Sequence, residues 1–294
     1  MYFGVHASST ASVSYTTPPG VTEAHHAAHK NVSSKTPILR HLCQLIMSPI
    51  KANLQHIQRE IRRAAERTSG DKTTILSASY PPISLIAVSK TKPAAMLRDA
   101  FAAGQRLFGE NYVQEGIAKI AELADLRAQG IEWHFIGPLQ SNKSKLVARH
   151  FDWMQTIDRP KIALALSEHR AGMPPMNVCL QVNVSGESSK SGVAPVEALA
   201  LAAQIAALPG LRFRGLMTLI ENTPDESTRR AQFRMMRELF DSLIRAGHPI
   251  DTLSMGMSDD YRVAIEEGAN MVRIGSAIFG ARTPPASTIS GVSA

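Results

Sequence analysis

Lys90 ends an apolar run, Ile83-Ser-Leu-Ile-Ala-Val-Ser-Lys90, and is followed by Thr91-Lys92-Pro93. A free lysine has a pKa of about 10.4, so at neutral pH it is mostly protonated and is a poor nucleophile. Burial at the end of an apolar strand disfavours the charge and lowers the pKa, which frees the amine to form an imine with an aldehyde. Two alternatives stay open: Lys90 extends from the strand end into solvent, or Lys92 carries the chemistry instead.

A second stretch, near the end of the chain, contains residue types that hold a phosphate. Ser258 lies in Met255-Gly-Met-Ser258-Asp-Asp260, and Gly275 and Ser276 follow the apolar run Met271-Val-Arg273-Ile. A serine hydroxyl, a glycine turn and the amides of a new helix all bind anions. Each also has an ordinary structural explanation, Gly275 as a turn residue and Ser258 as a helix cap. Together with an imine-forming lysine, they predict a site for pyridoxal phosphate (PLP), which has both an aldehyde and a phosphate.

Arg273 is a charged side chain within the last apolar run, and such a residue needs a partner when it is buried. One interpretation is an ion pair with an acid such as Asp158 or Glu110. The other is a hydrogen bond to the pyridine nitrogen of the cofactor. That nitrogen would stay unprotonated because arginine does not give up its proton. The ring would then be a weak electron sink, which disfavours aminotransferase-like chemistry.

Other polar residues favour structural explanations. His134, in Trp133-His-Phe-Ile-Gly, is predicted to be a core histidine rather than a base, and Lys143 and Lys145 are predicted to form a solvated helix face. No spacing of His, Cys and acidic residues indicates a metal site, and no Ser/His/Asp order stands out.

The elements that must position these residues alternate regularly from Ile83 onward. Helical patterns separate eight apolar runs that are typical of strands, namely 83–89, 106–109, 132–137, 153–157, 178–184, 212–219, 252–257 and 271–274. Such alternation predicts parallel strands with helical crossovers. We therefore expect an α/β fold, a single (β/α)8 TIM barrel, whose reactive groups gather at the carboxyl ends of the strands. An open doubly wound sheet is the alternative, but the Gly-rich turn that normally follows an early strand of that fold is absent.

The overall composition limits the function. The chain has 294 residues, of which 44% are hydrophobic, and a net charge of +7. Basic residues alternate with acids, as in Arg59-Glu60-Ile61-Arg62-Arg63, whereas nucleic-acid binders concentrate their charge in a patch. No apolar run is long enough to span a bilayer. The two cysteines, Cys43 and Cys179, are too few for a disulfide framework and favour a reducing, cytoplasmic location.

Three segments are expected along the chain. Residues 1–46 are rich in Ser, Thr, His, Ala and Pro and are predicted to be a disordered extension; Met47 is an alternative start, in which case that extension is not translated. The barrel is predicted over 47–282, beginning with a helix that Ser48-Pro49 opens. Residues 283–294 are predicted to be a disordered tail.

Six blocks of the sequence, in order, resemble the motifs of the pyridoxal phosphate homeostasis proteins. The resemblance covers roughly residues 48–282, and the stretch 71–82 is longer than is usual in that family. The blocks are Ala87-Val-Ser-Lys-Thr-Lys-Pro93, Phe108-Gly-Glu-Asn-Tyr-Val-Gln-Glu115, Trp133-His-Phe-Ile-Gly-Pro-Leu-Gln-Ser-Asn-Lys143, Ser189-Lys-Ser-Gly192, Gly256-Met-Ser-Asp-Asp260 and Val272-Arg-Ile-Gly-Ser-Ala-Ile-Phe-Gly280.

The resemblance implies a fold like that of the N-terminal domain of alanine racemase. It implies that Lys90 carries PLP as an internal aldimine, that Arg273 faces the pyridine nitrogen and that Asn111 lines the pocket. The phosphate would be held by Ser258, Gly275 and Ser276. The family has no firmly established catalytic turnover and is associated with buffering PLP in the cell.

We therefore expect a cofactor carrier that holds PLP and supplies it to apo-enzymes, and not an enzyme. A PLP-dependent amino-acid racemase is the alternative, but two-base racemisation needs an acid/base on each face of the substrate. In alanine racemases the second base comes from an added domain, whereas here 14 residues follow Gly280. We accordingly expect a monomer. A Schiff-base aldolase would use the same lysine, but such a protein would be colourless, whereas a pyridoxal aldimine is yellow.

Overall fold

The structure is a computed structural model that describes residues 48–69, 82–187 and 190–281. Several predictions from the sequence therefore lie outside the described residues. They concern the extension over 1–46, the tail over 283–294, Cys43, Ser189 and nearly all of the stretch 71–82.

Eight parallel strands close into a barrel in chain order, with β8 paired to β1. This arrangement confirms the predicted (β/α)8 barrel and rules out the open sheet. All eight strands lie where the apolar runs predicted them, with ends that differ by a few residues. The strands are β1 Ser84–Val88, β2 Leu107–Glu110, β3 Glu132–Phe135, β4 Trp153–Ile157, β5 Met176–Gln181, β6 Leu211–Met217, β7 Thr252–Ser254 and β8 Met271–Ile274.

Helices connect the strands and cover the outside of the barrel. The α-helices are α1 Pro49–Ser69, α2 Ala94–Ala102, α3 Val113–Glu122, α4 Ser144–His150, α5 Pro160–His169, α6 Ala198–Ala206, α7 Glu226–Arg245, α8 Tyr261–Glu266 and α9 Ser276–Phe279. Short 3₁₀ turns lie at Ala124–Gln129, Ser141–Lys143 and Pro195–Glu197. The first of these turns follows α3 after one intervening residue, Leu123. Its spacing of three residues per turn puts Leu123 and Leu126 on one face, and both side chains are buried.

Helix α1 precedes the barrel and packs against α2, α8 and α9. Its buried face consists of Leu54, Ile57, Ile61 and Ala64, which recur at helical spacing. The Asn53 side-chain amide also donates a hydrogen bond of 2.9 Å to the carbonyl of Ile278 in α9. The helix therefore supports the chain segment that directly follows β8.

The buried side chains of the strands form two sets, one on each face of the barrel wall. One faces the helices and forms the main apolar core, with Phe108, Trp133 and Phe135 among its largest members. The other is a smaller cluster, which consists of Ile86, Trp153, Cys179, Met217 and Met271. Strand alternation puts His134, Gln155, Ser254 and Arg273 on the same side as this second cluster, so the interior of the barrel is partly polar.

The only cysteine in the described ranges, Cys179, is fully buried and free. Burial raises the pKa of its thiol to about 12, which keeps it protonated and unreactive at neutral pH. Within the part of the chain that the structure describes, no helix is both long and apolar enough to cross a membrane.

Candidate functional site

Lys90 lies in the turn directly after β1 and is half-buried. Among the non-glycine residues that the structure describes, the next residue, Thr91, alone has a positive φ, at 61°. A β-branched residue rarely adopts this left-handed conformation. Strand β1 has ended at Val88, and the backbone changes direction between Lys90 and Lys92.

Lys92 binds the chain segment that follows β8. Its Nζ donates hydrogen bonds to three successive carbonyls after β8, those of Phe279 at 3.3 Å, Gly280 at 3.0 Å and Ala281 at 2.7 Å. The last carbonyls of a helix have no partner within it, and a lysine is well suited to satisfy them. This contact ties the Lys92 amine to the end of α9 and the residues that follow it.

The residues predicted to hold phosphate lie together next to this turn. The Ser276 hydroxyl donates a hydrogen bond of 3.3 Å to the Ser258 hydroxyl, across the loops that follow β8 and β7. Gly275 begins α9, and a Cβ added to it would lie 3.0 Å from the carbonyl oxygen of Val88 at the end of β1. Glycine at this position lets the Gly275–Ser276 turn lie directly against the strand that leads to Lys90.

Asn111 follows β2, the other neighbour of β1, and is half-buried. No described residue donates a hydrogen bond to its Oδ1 atom, although that atom is buried. A buried acceptor without a donor is costly unless a ligand or water satisfies it. Its backbone is held by close packing, because a Cβ at Gly137 would overlap the Asn111 carbonyl.

Arg273 lies on the inner face of β8 and is only 3% exposed. Its Nη1 donates to the Ser254 hydroxyl at 2.6 Å, and its Nη2 donates to the Thr218 carbonyl at 2.7 Å. Burial lowers the pKa of this guanidinium to about 10, so it stays protonated at neutral pH. The site thus contains a buried positive charge whose hydrogen bonds go to neutral groups.

Of the two interpretations of Arg273, the structure excludes the ion pair with Asp158 or Glu110. Asp158 pairs with Arg159 at 2.6 Å, and Glu110 pairs with Lys119 at 2.8 Å. Within the described ranges, no carboxylate lies within ion-pairing distance of Arg273. The sequence cannot show this, because the choice of partner depends on which strand ends are neighbours in the barrel.

The hydrogen bonds of Arg273 continue through the interior of the barrel. Ser254 donates to the Gln155 side-chain oxygen at 2.8 Å, and Gln155 Nε2 lies 3.0 Å from His134 Nδ1. Because the Gln155 amide nitrogen is a donor, His134 Nδ1 must accept and therefore carries no proton. His134 Nε2 lies 3.1 Å from Glu132, and the ring stacks on Trp153. This environment confirms that His134 is a core histidine, and it adds Ser254 and Gln155, which the sequence analysis missed.

Behind Lys90 lies a buried charged cluster that the sequence analysis also missed. Lys119 of α3 contacts Glu110 at 2.8 Å and Glu115 at 2.6 Å, and it donates to the Ser89 carbonyl at 2.6 Å. The Ser89 hydroxyl in turn donates to Glu110 at 2.6 Å. Burial raises the pKa of the Glu110 carboxyl, although Lys119 and Ser89 oppose that shift. The available signal was the Glu115–Lys119 spacing of four residues on a predicted helix.

The six predicted residues thus lie at four neighbouring strands. Ser258 follows β7, Arg273 and the Gly275–Ser276 turn belong to β8 and its end, Lys90 follows β1, and Asn111 follows β2. The β1–β8 register, with Ala87 opposite Ile274, brings the turn that contains Lys90 beside the Gly275–Ser276 turn. The arrangement provides an amine, two hydroxyls, a buried acceptor and a buried cation, which suits a small anionic aldehyde.

Comparison with known proteins first identifies the class of domain. The family model described as "Alanine racemase, N-terminal domain" matches residues 50–283. The predicted likeness to that domain is therefore confirmed over nearly all of the barrel.

Relatives narrow the class further. The pyridoxal phosphate homeostasis protein of Pseudomonas aeruginosa is 54% identical over 237 residues, which cover 80% of this chain and 97% of the relative. That of Vibrio cholerae is 51% identical over 238 residues, which cover 80% of this chain and 98% of the relative. The structure of PipY from Synechococcus elongatus, solved with PLP bound, is 38% identical, has a TM-score of 0.63 and covers 74% of this chain and 100% of PipY. The chain therefore belongs to the family of pyridoxal phosphate homeostasis proteins.

Proposed function

We propose that this protein binds PLP as a Schiff base of Lys90 and supplies the cofactor to apo-enzymes, without catalytic turnover of its own. The observation that carries the proposal is the position of the Ser258–Ser276 hydroxyl pair directly beside the turn of Lys90. An amine and a phosphate-binding turn match the two reactive ends of PLP, its aldehyde and its phosphate. PipY, a relative, has been solved with PLP bound.

Each residue has a defined part in holding the cofactor. The Lys90 amine attacks the aldehyde carbon, a C=N bond replaces the C=O bond, and one water molecule leaves. The reverse reaction with water, or exchange with another amine, releases the cofactor. Ser258, Ser276 and the amides after Gly275 hold the phosphate, because the first amides of a helix have no partner within it. Asn111 offers its unsatisfied Oδ1 as an acceptor.

Arg273 determines which chemistry the bound cofactor supports. The guanidinium is buried and stays protonated, so it donates to the pyridine nitrogen and leaves that nitrogen without a proton. PLP supplies an aldehyde for imine exchange and, when its ring nitrogen is protonated, a strong electron sink. Arg273 removes the electron sink and leaves the aldehyde available for imine exchange. This combination supports reversible binding rather than aminotransferase-like turnover.

The residues that hold the phosphate are partly exposed, which suits a carrier. Ser276 is exposed and Ser258 is half-buried, so the anionic end of the cofactor lies near the surface. We further infer a cytoplasmic monomer whose barrel spans 47–282 and that does not bind nucleic acid or membranes. The mixed surface charge supports the absence of nucleic-acid binding, since bases pair with acids as in Arg98–Asp125 at 2.6 Å.

The test is the visible spectrum of the purified protein with added PLP. We expect a yellow imine band that Lys90→Ala abolishes and that Lys92→Ala leaves largely intact. The loaded protein should then restore an apo-enzyme that requires PLP faster than its own release of free PLP allows. A band lost in Lys92→Ala alone would overturn the lysine assignment, and racemisation of amino acids at enzyme-like rates would overturn the carrier role.

A further inference from the structure

The peptide groups on both sides of Lys90 are tied to a single helix, α3. On one side, Lys119 Nζ donates to the carbonyl of Ser89 at 2.6 Å. On the other side, the N–H of Thr91 donates to the Glu115 carboxylate at 2.5 Å. Glu115 and Lys119 also pair with each other at 2.6 Å. One ion pair therefore holds the residue before Lys90 and the residue after it.

The conformation of the turn at Lys90–Lys92 shows why these hydrogen bonds to α3 are needed. Thr91 has a φ of 61°, which is unfavourable for a β-branched side chain and persists only where the surroundings impose it. The bond to Glu115 is one such constraint, and a backbone bond of 3.0 Å from Lys92 N–H to the Ser89 carbonyl is another. Without Glu115, the turn has less reason to keep a geometry that its own sequence disfavours.

Stability alone does not explain this buried charge cluster. The Lys119 side chain is 8% exposed, that of Glu110 is fully buried and that of Glu115 is 27% exposed. Charges buried in this way cost desolvation free energy, and packed apolar residues in their place are often equally stable or more so. The cluster instead provides directed hydrogen bonds at fixed positions, and these converge on the two peptide groups that flank Lys90.

We propose that Glu115 and Lys119 are positioning residues that fix the direction of the Lys90 amine and thereby set the rate of imine formation. This inference rests on the proposed function, because it concerns the same imine. Neither residue is required to contact the cofactor. Their effect is to keep the amine aimed at the aldehyde carbon while the phosphate is held on the other side of β1, which is a matter of orientation.

The test separates imine formation from binding of the phosphate. Glu115→Leu removes the acceptor of the Thr91 N–H, whereas Glu115→Gln keeps an oxygen acceptor there. Glu226→Leu is the matched control, because Glu226 also pairs with a base four residues later, Arg230, but lies on α7. For each purified protein, one measures the rate of appearance of the imine band after mixing with PLP. One also measures the affinity for pyridoxine 5′-phosphate, which has an alcohol in place of the aldehyde.

We expect Glu115→Leu to form the imine roughly 10- to 100-fold more slowly, the size of effect that misorientation produces. Its affinity for pyridoxine phosphate should stay within about twofold of the wild type, because Ser258, Ser276 and Arg273 are untouched. Glu115→Gln should recover most of the rate, and Glu226→Leu should behave as the wild type.

Two results overturn the positioning role while leaving the proposed function intact. The first is a wild-type rate of imine formation in Glu115→Leu. The second is an equal loss of imine formation and of pyridoxine phosphate affinity, which indicates general damage to the fold. If the wild type itself forms no imine, the proposed function fails and the positioning role fails with it.

Discussion

Two arginines inside the barrel have opposite surroundings. Arg273, at the carboxyl end of the strands, donates to the Ser254 hydroxyl and the Thr218 carbonyl, both of them neutral. Arg214, on β6 toward the amino end, donates two hydrogen bonds to the Asp251 carboxylate, at 2.8 and 2.6 Å. No direct partner compensates the positive charge of Arg273, whereas Asp251 neutralises the charge of Arg214.

The difference shows that a cavity by itself does not identify the site. A cavity of about 320 Å³ lies at the amino end of the barrel, and Arg214, Asp251, Trp153 and Glu132 are among the residues that line it. Arg214 and Asp251 already pair with each other, Glu132 contacts His134, and the Arg214 guanidinium also lies 4.8 Å from the centre of the Trp153 ring. The carboxyl end instead leaves a buried cation and the Asn111 acceptor for a ligand to satisfy.

The largest expected effect comes from removing the uncompensated charge. Arg273→Gln should weaken PLP binding about 10- to 100-fold, because hydrogen bonds from charged groups contribute about 1.5–3 kcal/mol. Equilibrium dialysis against PLP measures this change. Arg214→Gln is the control and should leave the affinity within about twofold while lowering the melting temperature. Equal losses of affinity in the two variants would contradict the distinction between the two arginines.

Ser254 offers a smaller perturbation of the same end of the barrel. Its hydroxyl accepts from Arg273 Nη1 and donates to Gln155 Oε1, so Ser254→Ala removes one hydrogen bond from each of two buried polar side chains. We expect a loss of about 1–3 kcal/mol in the free energy of unfolding, measured by urea denaturation. Ser254→Gly should lower the free energy of unfolding by at least as much. Full stability in Ser254→Ala would mean that Arg273 is held by other contacts.

The smallest effect is expected at the amino end and depends on pH. Burial raises the pKa of Asp251, but hydrogen bonds from Arg214 and Thr252 outweigh it, so the pKa lies below its ordinary value of 3.8. A carboxyl with a lowered pKa in the folded state adds stability above the unfolded pKa and loses it as the pH falls through the folded value. Asp251→Asn should therefore lower the free energy of unfolding by about 1 kcal/mol at pH 7, a small effect because the Asp251 side chain is 52% exposed.

The control for Asp251→Asn is the free energy of unfolding of both proteins measured in acid. The wild-type advantage should shrink steadily below about pH 4 and should not depend on whether PLP is present. A difference that persists unchanged at pH 2 would show that Asp251 acts through packing rather than through its charge.

The sequence predicted the barrel well because each strand is a short apolar run with clear ends. Strands β4, Trp153–Ile157, and β8, Met271–Ile274, have the predicted bounds. Strand β3 ends at Phe135, two residues before the predicted Gly137, because the loop after it turns to pack against Asn111. The strand ends then gave the order of the polar residues around the site, since neighbours in the chain are neighbours in the barrel.

The partners of those residues could not be predicted. Ser254 and Gln155 are 99 residues apart, and only the closed barrel brings their side chains together. The contacts of Lys92 with the carbonyls after β8 form only in the closed barrel, and the positive φ at Thr91 is one that threonine rarely adopts, so the sequence signals neither. Lys119 is buried only because two carboxylates meet it, one from the end of β2 and one from its own helix.

The most direct test of the account is borohydride reduction of the protein mixed with PLP, followed by mass mapping of the modified peptides. Reduction converts an imine into a stable secondary amine and so marks the lysine that formed it. We predict a single pyridoxyl adduct, located on Lys90, and its disappearance in Lys90→Ala. An adduct on Lys92, or a colourless protein with no adduct at Lys90 under excess PLP, would contradict the central claim.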